Sequence, residues 1–375
     1  MLANTRTWLS AAGGLLGMMS TAIAAENTIA ESIVHVAAGG DGTIDSYHLD
    51  HASGALTPLQ RAEIGPNVAP LTVSADGTRL YAAIWDGAAQ VVSLIRDPAT
   101  GALQPDGTAD LIDGIAFIGL DGAGRTLLGA SYNGNAVTAM PIDADGRAVG
   151  DALQVLPAGR NAHAIITNTA GTVAYAAALG TDEVIQYTLD DSHLTQTASV
   201  STGDGSGPRH LALTEDGHRL YVLTELSGEV VAFDVDAGTG ALTEAARASI
   251  LPAGEDLQIG LQPGAPRDDV PRIWAADIAV TPDGRFIYAS ERTRSRISVL
   301  AVGEGGTLAL VDTVETEAQP RSIALARDGR VLVATGERSD HIAAYTVDLQ
   351  TGLLTPADRA PVGAGAGWVT IVPKE

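Results

Sequence analysis

The stretch Gly207-Pro208-Arg209-His210-Leu211-Ala212-Leu213-Thr214-Glu215-Asp216-Gly217-His218-Arg219-Leu220-Tyr221-Val222-Leu223-Thr224-Glu225-Leu226 decides the fold. A short apolar run, Leu211-Ala212-Leu213, leads through Asp216-Gly217 into a second run, Arg219-Leu220-Tyr221-Val222. Two short runs around an Asp-Gly pair read as antiparallel strands joined by a tight turn. The unit recurs, with turns at Asp76-Gly77, Asp121-Gly122, Ala170-Gly171, Asp216-Gly217, Asp283-Gly284 and Asp328-Gly329. Neighbouring turns lie roughly 45 to 50 residues apart, with one gap of about 67. A third strand follows in each unit, as in Glu229-Val230-Val231-Ala232-Phe233. A fourth comes after a Thr-Gly-X-Leu turn, as at Thr100-Gly101-Ala102-Leu103, Thr239-Gly240-Ala241-Leu242 and Thr351-Gly352-Leu353-Leu354. Four strands per unit at this period describe a propeller blade.

Six full units lie between Asn67 and Asp358. The segment Ser32 to Leu59 carries only later strands of a unit, and Gly367-Trp368-Val369-Thr370-Ile371-Val372 supplies the missing first one. Pairing the two closes the ring and removes its free edges. The expectation is an all-β, seven-bladed β-propeller with four antiparallel strands per blade. The long gap, Pro252 to Arg272, is rich in Gly, Pro, Asp and Arg. It reads as an inserted loop, either a solvated excursion or a cover over part of the site.

The net charge of -23 argues against nucleic acid or anionic membrane as a partner, since both call for a basic surface. With no cysteine, disulfides, thiol nucleophiles and cysteine metal sites are excluded. Arg6, an apolar core from about Trp8 to Met19 and the small residues Ala22-Ile23-Ala24-Ala25 have the pattern of a cleavable leader. Residues 1–25 are therefore expected to be a signal peptide and 26–375 the propeller, periplasmic or secreted. A closed propeller is expected to be monomeric.

Antiparallel pairing brings the start of a blade's first strand and the end of its second to one end of the blade. Those positions carry His163 and Asp182, then Arg209, His210 and Glu225, then Asp277, Glu291 and Arg292, then Arg321, Glu337 and Arg338. The second and third units carry Ala69, Trp85 and Asp86, then Ile115, Tyr132 and Asn133. Ionisable groups thus gather on one side of a channel mouth. The histidines at 35, 48, 51, 193 and 218 fall on strands or outer turns and read as structural, and Arg294 and Arg296 as exposed third-strand residues.

A carboxylate, an imidazole and two guanidinium groups form an acid–base set with anion-binding capacity. Such a set suits opening or closing of a lactone without a metal or cofactor. No nucleophile elbow, zinc-binding helix motif or dinucleotide loop is evident.

The segments Pro208-Arg209-His210 through Glu225-Leu226, Ala276-Asp277-Ile278 through Glu291-Arg292-Thr293, and Gln319-Pro320-Arg321 through Gly336-Glu337-Arg338 resemble the seven-bladed bacterial 6-phosphogluconolactonases. The superfamily also holds the fungal carboxymuconate lactonising enzymes. Ala162-His163-Ala164-Ile165 and Leu179-Gly180-Thr181-Asp182 are similar as well. The resemblance implies a small-molecule lactone substrate, with His163, Arg209, Arg292 and Glu225 as catalytic residues. His210, Asp182, Asp277, Arg321 and Glu337 are the expected substrate-binding residues. Glu225 is assigned as base toward water, Arg209 and Arg292 as oyxanion or anion holders, and His163 as proton donor, with Asp182 orienting it. The glutamate and histidine can also exchange roles. A leader removes the chain from the cytosol, which favours a non-phosphorylated sugar lactone. The competing expectations are a non-enzymatic binding propeller and a muconate-type lactonising enzyme.

Overall fold

The computed structural model describes Met1, residues 30–266 and residues 268–374. The expected leader, apart from Met1, lies outside the described residues. Twenty-eight strands form seven four-stranded antiparallel sheets. Blade 1 pairs Ala366–Pro373 with Glu31–Ala38, followed by Thr43–Asp50 and Leu56–Glu63. The remaining blades run in chain order: blade 2 from Leu71 to Asp110, blade 3 from Ile115 to Pro157, and blade 4 from Ala162 to Ser201. Blade 5 runs from Pro208 to Ser249, blade 6 from Ala275 to Glu315, and blade 7 from Pro320 to Pro361. The first strands pack against one another around the central channel. No helix among the described residues is long and apolar enough to cross a membrane.

Hydrophobic alternation places side chains on both faces of each sheet, and each face packs on a neighbouring blade. The buried apolar residues accordingly form seven clusters, one per blade interface. The middle strands are apolar almost throughout, as in Val173–Ala178 and Val331–Gly336, because both of their faces are covered.

The Thr-Gly-X-Leu turn proves to be an inter-blade contact. Gly240 has φ 72°, and a Cβ there would lie 2.8 Å from Val173 of the preceding blade. The Tyr175 hydroxyl donates to the Gly240 carbonyl at 2.8 Å, and Tyr288 does the same to Gly352 at 2.9 Å. Glycine is needed for both the left-handed backbone and the close approach.

One turn departs from expectation. In blade 3 the left-handed residue is Gly124, φ 67°, rather than Gly122. Asp121 accepts from the amides of Arg125 and Thr126, and Gly122 packs so closely on blade 4 that a Cβ would come 2.8 Å from the Gly171 Cα.

Ring closure pairs Ser32 with Pro373 and Val36 with Val369, burying Val369 and Val372 between blades. A chain ending at Pro361 should lose its sharp thermal transition by circular dichroism and elute as aggregate. The milder Val369→Ala should cost about 2 kcal/mol in urea unfolding. Near-native melting of the truncated chain would show that closure is dispensable.

Candidate active site

The first strands are not regular. In blades 1, 3, 4, 5, 6 and 7 the pairing with the next strand shifts near its start. The skipped residue is Gly367, Ala116, His163, Arg209 and Arg321 in five of these, and the pair Ala276-Asp277 in blade 6. An extra residue in one strand re-aims its side chain, which a period of two would otherwise send to a sheet face. His163, Arg209 and Arg321 share the wall of one cavity of about 420 Å³ at the channel mouth.

The residue just after the second strand supplies the rest. Its amide bonds back to the residue before the first strand in each of three blades: Glu225 to Gly207, Arg292 to Trp274 and Glu337 to Gln319. Glu225 and Arg292 line the cavity, as does Tyr132, which follows the second strand of blade 3. Arg292 Nη2 donates to Glu225 Oε2 at 2.8 Å, and Arg209 Nε lies 2.9 Å from the same oxygen as an ion pair without hydrogen-bond alignment. Arg209 also donates to the Ala276 carbonyl, and Arg292 to the carbonyls of Ala275 and Trp274 at 3.1 and 3.2 Å. The Arg292 guanidinium stacks 3.8 Å above the Trp274 ring. Burial, and then the Arg292 charge, lower the Arg209 pKa to about 9, and burial also lowers that of Arg292. Arg321 Nη1 donates to Glu337 Oε1 at 2.8 Å.

Blades 4 to 7 therefore present charge, while Ala69, Ala83, Ile84, Trp85, Ile115 and Ala116 of blades 2 and 3 form an apolar wall. His163 is buried, and its Nδ1 has no hydrogen-bond partner. Burial first, then Arg209, hold its pKa well below the ordinary 6.5, so the imidazole is neutral near pH 7.

Two expected binding residues lie one layer deeper. His210 and Asp277 are not part of the cavity wall. His210 Nδ1–H donates to Asp277 Oδ1 at 2.6 Å, and Asp277 Oδ2 accepts from Ser322 Oγ and the Ile323 amide at 2.9 and 3.0 Å. Phe117 and Trp368 pack edge-on against His210, with ring centroids 5.6 Å away in each case. This layer floors the cavity, and His210 meets His163 at 5.3 Å. Burial lowers the His210 pKa to about 4; burial opposes ionisation of Asp277, but the His210 charge and hydrogen bonds prevail and lower its pKa.

Asp182 does not join the cluster. In blade 4 the position after the second strand is Leu179, and a 3-10 turn through Thr181 carries Asp182 onward. Both Asp182 oxygens accept backbone amides, of Gly205 and Gly207, each at 2.8 Å. Glu291 likewise caps a turn, accepting the amides of Trp274, Thr293 and Arg294. Arg294 and Arg296 hold Glu255 of the inserted loop at 2.9 and 2.7 Å. Tyr132 stands among the mouth positions read from the sequence, marked by its place after the second strand, whereas only the fold reveals Trp274. The carboxylates and imidazoles of the described residues form no cluster of three placed to hold a metal ion.

Residues 32–371 match the family model described as lactonase, 7-bladed beta-propeller. The chain belongs to this lactonase family. It is 35% identical over 350 residues to a 6-phosphogluconolactonase of Serratia proteamaculans, covering 92% of this chain and 100% of that one. A 6-phosphogluconolactonase of Pectobacterium atrosepticum is 33% identical, over 91% of this chain and 99% of its own. Among solved structures, the periplasmic gluconolactonase of Pseudomonas aeruginosa superposes with TM-score 0.80 at 25% identity, covering 92% and 100% of the two chains. The protein is thus a lactonase.

The buried imidazoles carry a stability consequence. The folded pKa values of His35 and His210 are depressed to about 3 and about 4, chiefly by burial. Between 6.5 and those values the unfolded chain binds more protons, so stability is full above pH 6.5 and is lost as pH falls, by up to about 1.4 kcal/mol per unit for each group. Urea unfolding should show a progressive loss from pH 6.5 to 4.5. Constant stability over that range would contradict the neutral assignment.

Proposed function

We propose that the protein hydrolyses a non-phosphorylated sugar lactone without a metal, outside the cytosol, and that His163 is the base. The observation that carries the assignment is the difference between the two basic groups. Glu225 Oε2 is engaged by two guanidinium groups, whereas His163 is neutral, lines the same cavity and has no hydrogen-bond partner on its buried Nδ1. This exchanges the roles first expected of the glutamate and the histidine.

The steps follow from the groups present. The apolar wall of blades 2 and 3 receives the C–H face of the ring, and the lactone carbonyl points to Arg209 and Arg292. His163 takes a proton from water as the water oxygen bonds to the carbonyl carbon. The two guanidinium groups, fixed beforehand by Glu225 and by backbone carbonyls, stabilise the tetrahedral oxyanion. The ring C–O bond then breaks, and the His163 imidazolium returns the proton to the departing alkoxide. The hydroxy acid loses its carboxyl proton to solvent.

Three features support an unphosphorylated substrate. Three arginines line the cavity against two carboxylates, Arg209 and Arg292 sharing Glu225 and Arg321 pairing with Glu337, so the excess of one positive charge suits a single developing oxyanion rather than a dianion. The chain carries a net charge of -23, unfavourable to a dianion. The leader-like composition of residues 1–25 points to export, and the Pseudomonas relative is named as periplasmic.

In a pH-stat assay of glucono-δ-lactone, His163→Ala should lose about 10²- to 10⁴-fold in kcat/KM over the buffer rate. Glu225→Gln should lose less, since it loosens the arginines without removing the base; a larger loss in Glu225→Gln would return the base role to Glu225. Because the base has a lowered pKa, kcat/KM should stay level as pH falls through 6.5 and decline only at more acid pH. A decline centred at 6.5 or above would contradict a buried, neutral base. Turnover of 6-phosphogluconolactone well above that of the unphosphorylated lactone would overturn the substrate assignment.

A further inference from the structure

The inserted loop walls a second cavity of about 800 Å³. It shares Tyr132, Asn133, Glu225 and Trp274 with the inner one, so one molecule can extend through both. The inner cavity alone has the size of a small-ligand pocket, and the outer one is room beyond the lactone ring.

The loop is braced at both ends. Glu255 is held by Arg294 and Arg296, Gln258 pairs with Pro271 and Ile273 through backbone bonds of 3.0 and 2.8 Å, and the Gly260 amide donates to the Leu226 carbonyl at 2.8 Å. Arg272 grips Asp268 with two bonds, 3.0 and 2.6 Å, and donates to the Ile259 carbonyl at 2.7 Å. Arg272 and Asp268 therefore neutralise each other. The other polar groups on this wall include the side-chain amides of Asn133, Asn161 and Gln262, and Gln262 Oε1 is buried with no hydrogen-bond partner. An amide offers both donor and acceptor, matching a hydroxyl group, and the Tyr132 and Trp274 rings offer apolar faces. A buried acceptor without a donor is costly until a ligand supplies one.

Resting on the assignment of the inner cavity to the lactone ring, we propose that residues 252–266 and 268–272 build a second subsite for a neutral, hydroxylated substituent. The substrate class is then the lactone of a disaccharide-derived aldonic acid, with the second sugar against Gln262 and Trp274.

The test compares glucono-δ-lactone with lactones of maltobionic, cellobionic and lactobionic acids by pH-stat, and the binding of the corresponding aldonates and gluconate by calorimetry. At least one disaccharide lactone should show kcat/KM about tenfold above the monosaccharide. Its aldonate should bind more tightly than gluconate by a similar factor. Gln262→Ala, checked for an unchanged melting temperature, should cut the disaccharide-to-monosaccharide ratio about fivefold. Hydrolysis of all lactones with no disaccharide preference, or a ratio unmoved in Gln262→Ala, would overturn the subsite. If none is hydrolysed, the catalytic reading fails, while tighter disaccharide aldonate binding that Gln262→Ala abolishes still supports the subsite and equal binding overturns it.

Discussion

The placement of His163, Arg209 and Arg321 at the channel mouth depends on a bulge repeated in the innermost strands. In a propeller the faces of each sheet are covered by neighbouring blades, so a regular first strand turns only its backbone edge toward the channel. Side chains reach the channel where the strand takes an extra residue and rotates. His163, Arg209 and Arg321 sit at such points. The following residues, His210 and Ser322 among them, fall into a deeper layer that closes the channel. One backbone irregularity thus makes both the reactive wall and its floor, and the edge carbonyls of blade 6 gain partners from Arg209 and Arg292.

The arginine cluster shows how such a mouth is charged within an acidic protein. Two buried guanidinium groups share one carboxylate, Glu225, leaving the cluster one positive charge in excess. Burying charge is expensive unless paired, and the lowered pKa of Arg209 reflects that cost. In the proposed reaction a developing oxyanion would supply the missing negative charge. The cluster would then match the transition state more closely than a neutral lactone, which is the condition for acceleration.

Much of this was legible in the sequence. The turn period marked six blades, and the C-terminal strand announced the seventh and the closure, because turn chemistry and apolar alternation are local properties. Polar departures from the repeat located His163, Arg209, Glu225 and Arg292 near one mouth. The depth of each side chain was not legible. Arg209 and His210 are adjacent in sequence, and only the bulge sends one to the wall and the other to the floor. Asp182 was misplaced for a related reason: a single 3-10 turn replaces the direct connection used in blades 5 to 7. Trp274 carried no repeat signal, since it follows the inserted loop immediately before blade 6.

The uneven mouth follows from what each half must do. The proposed mechanism uses an imidazole and a pair of arginines, which adjacent blades 4, 5 and 6 bring to one cavity. Blades 2 and 3 have no such duty, so small and apolar residues at the same positions leave room for a ring. The insertion between blades 5 and 6 then adds the outer cavity beside that charged side. Closure of the ring and the first-strand bulges rest on residues outside the loop that walls the outer cavity. Substrate range can therefore change in the loop while the bulges hold the reactive groups in place.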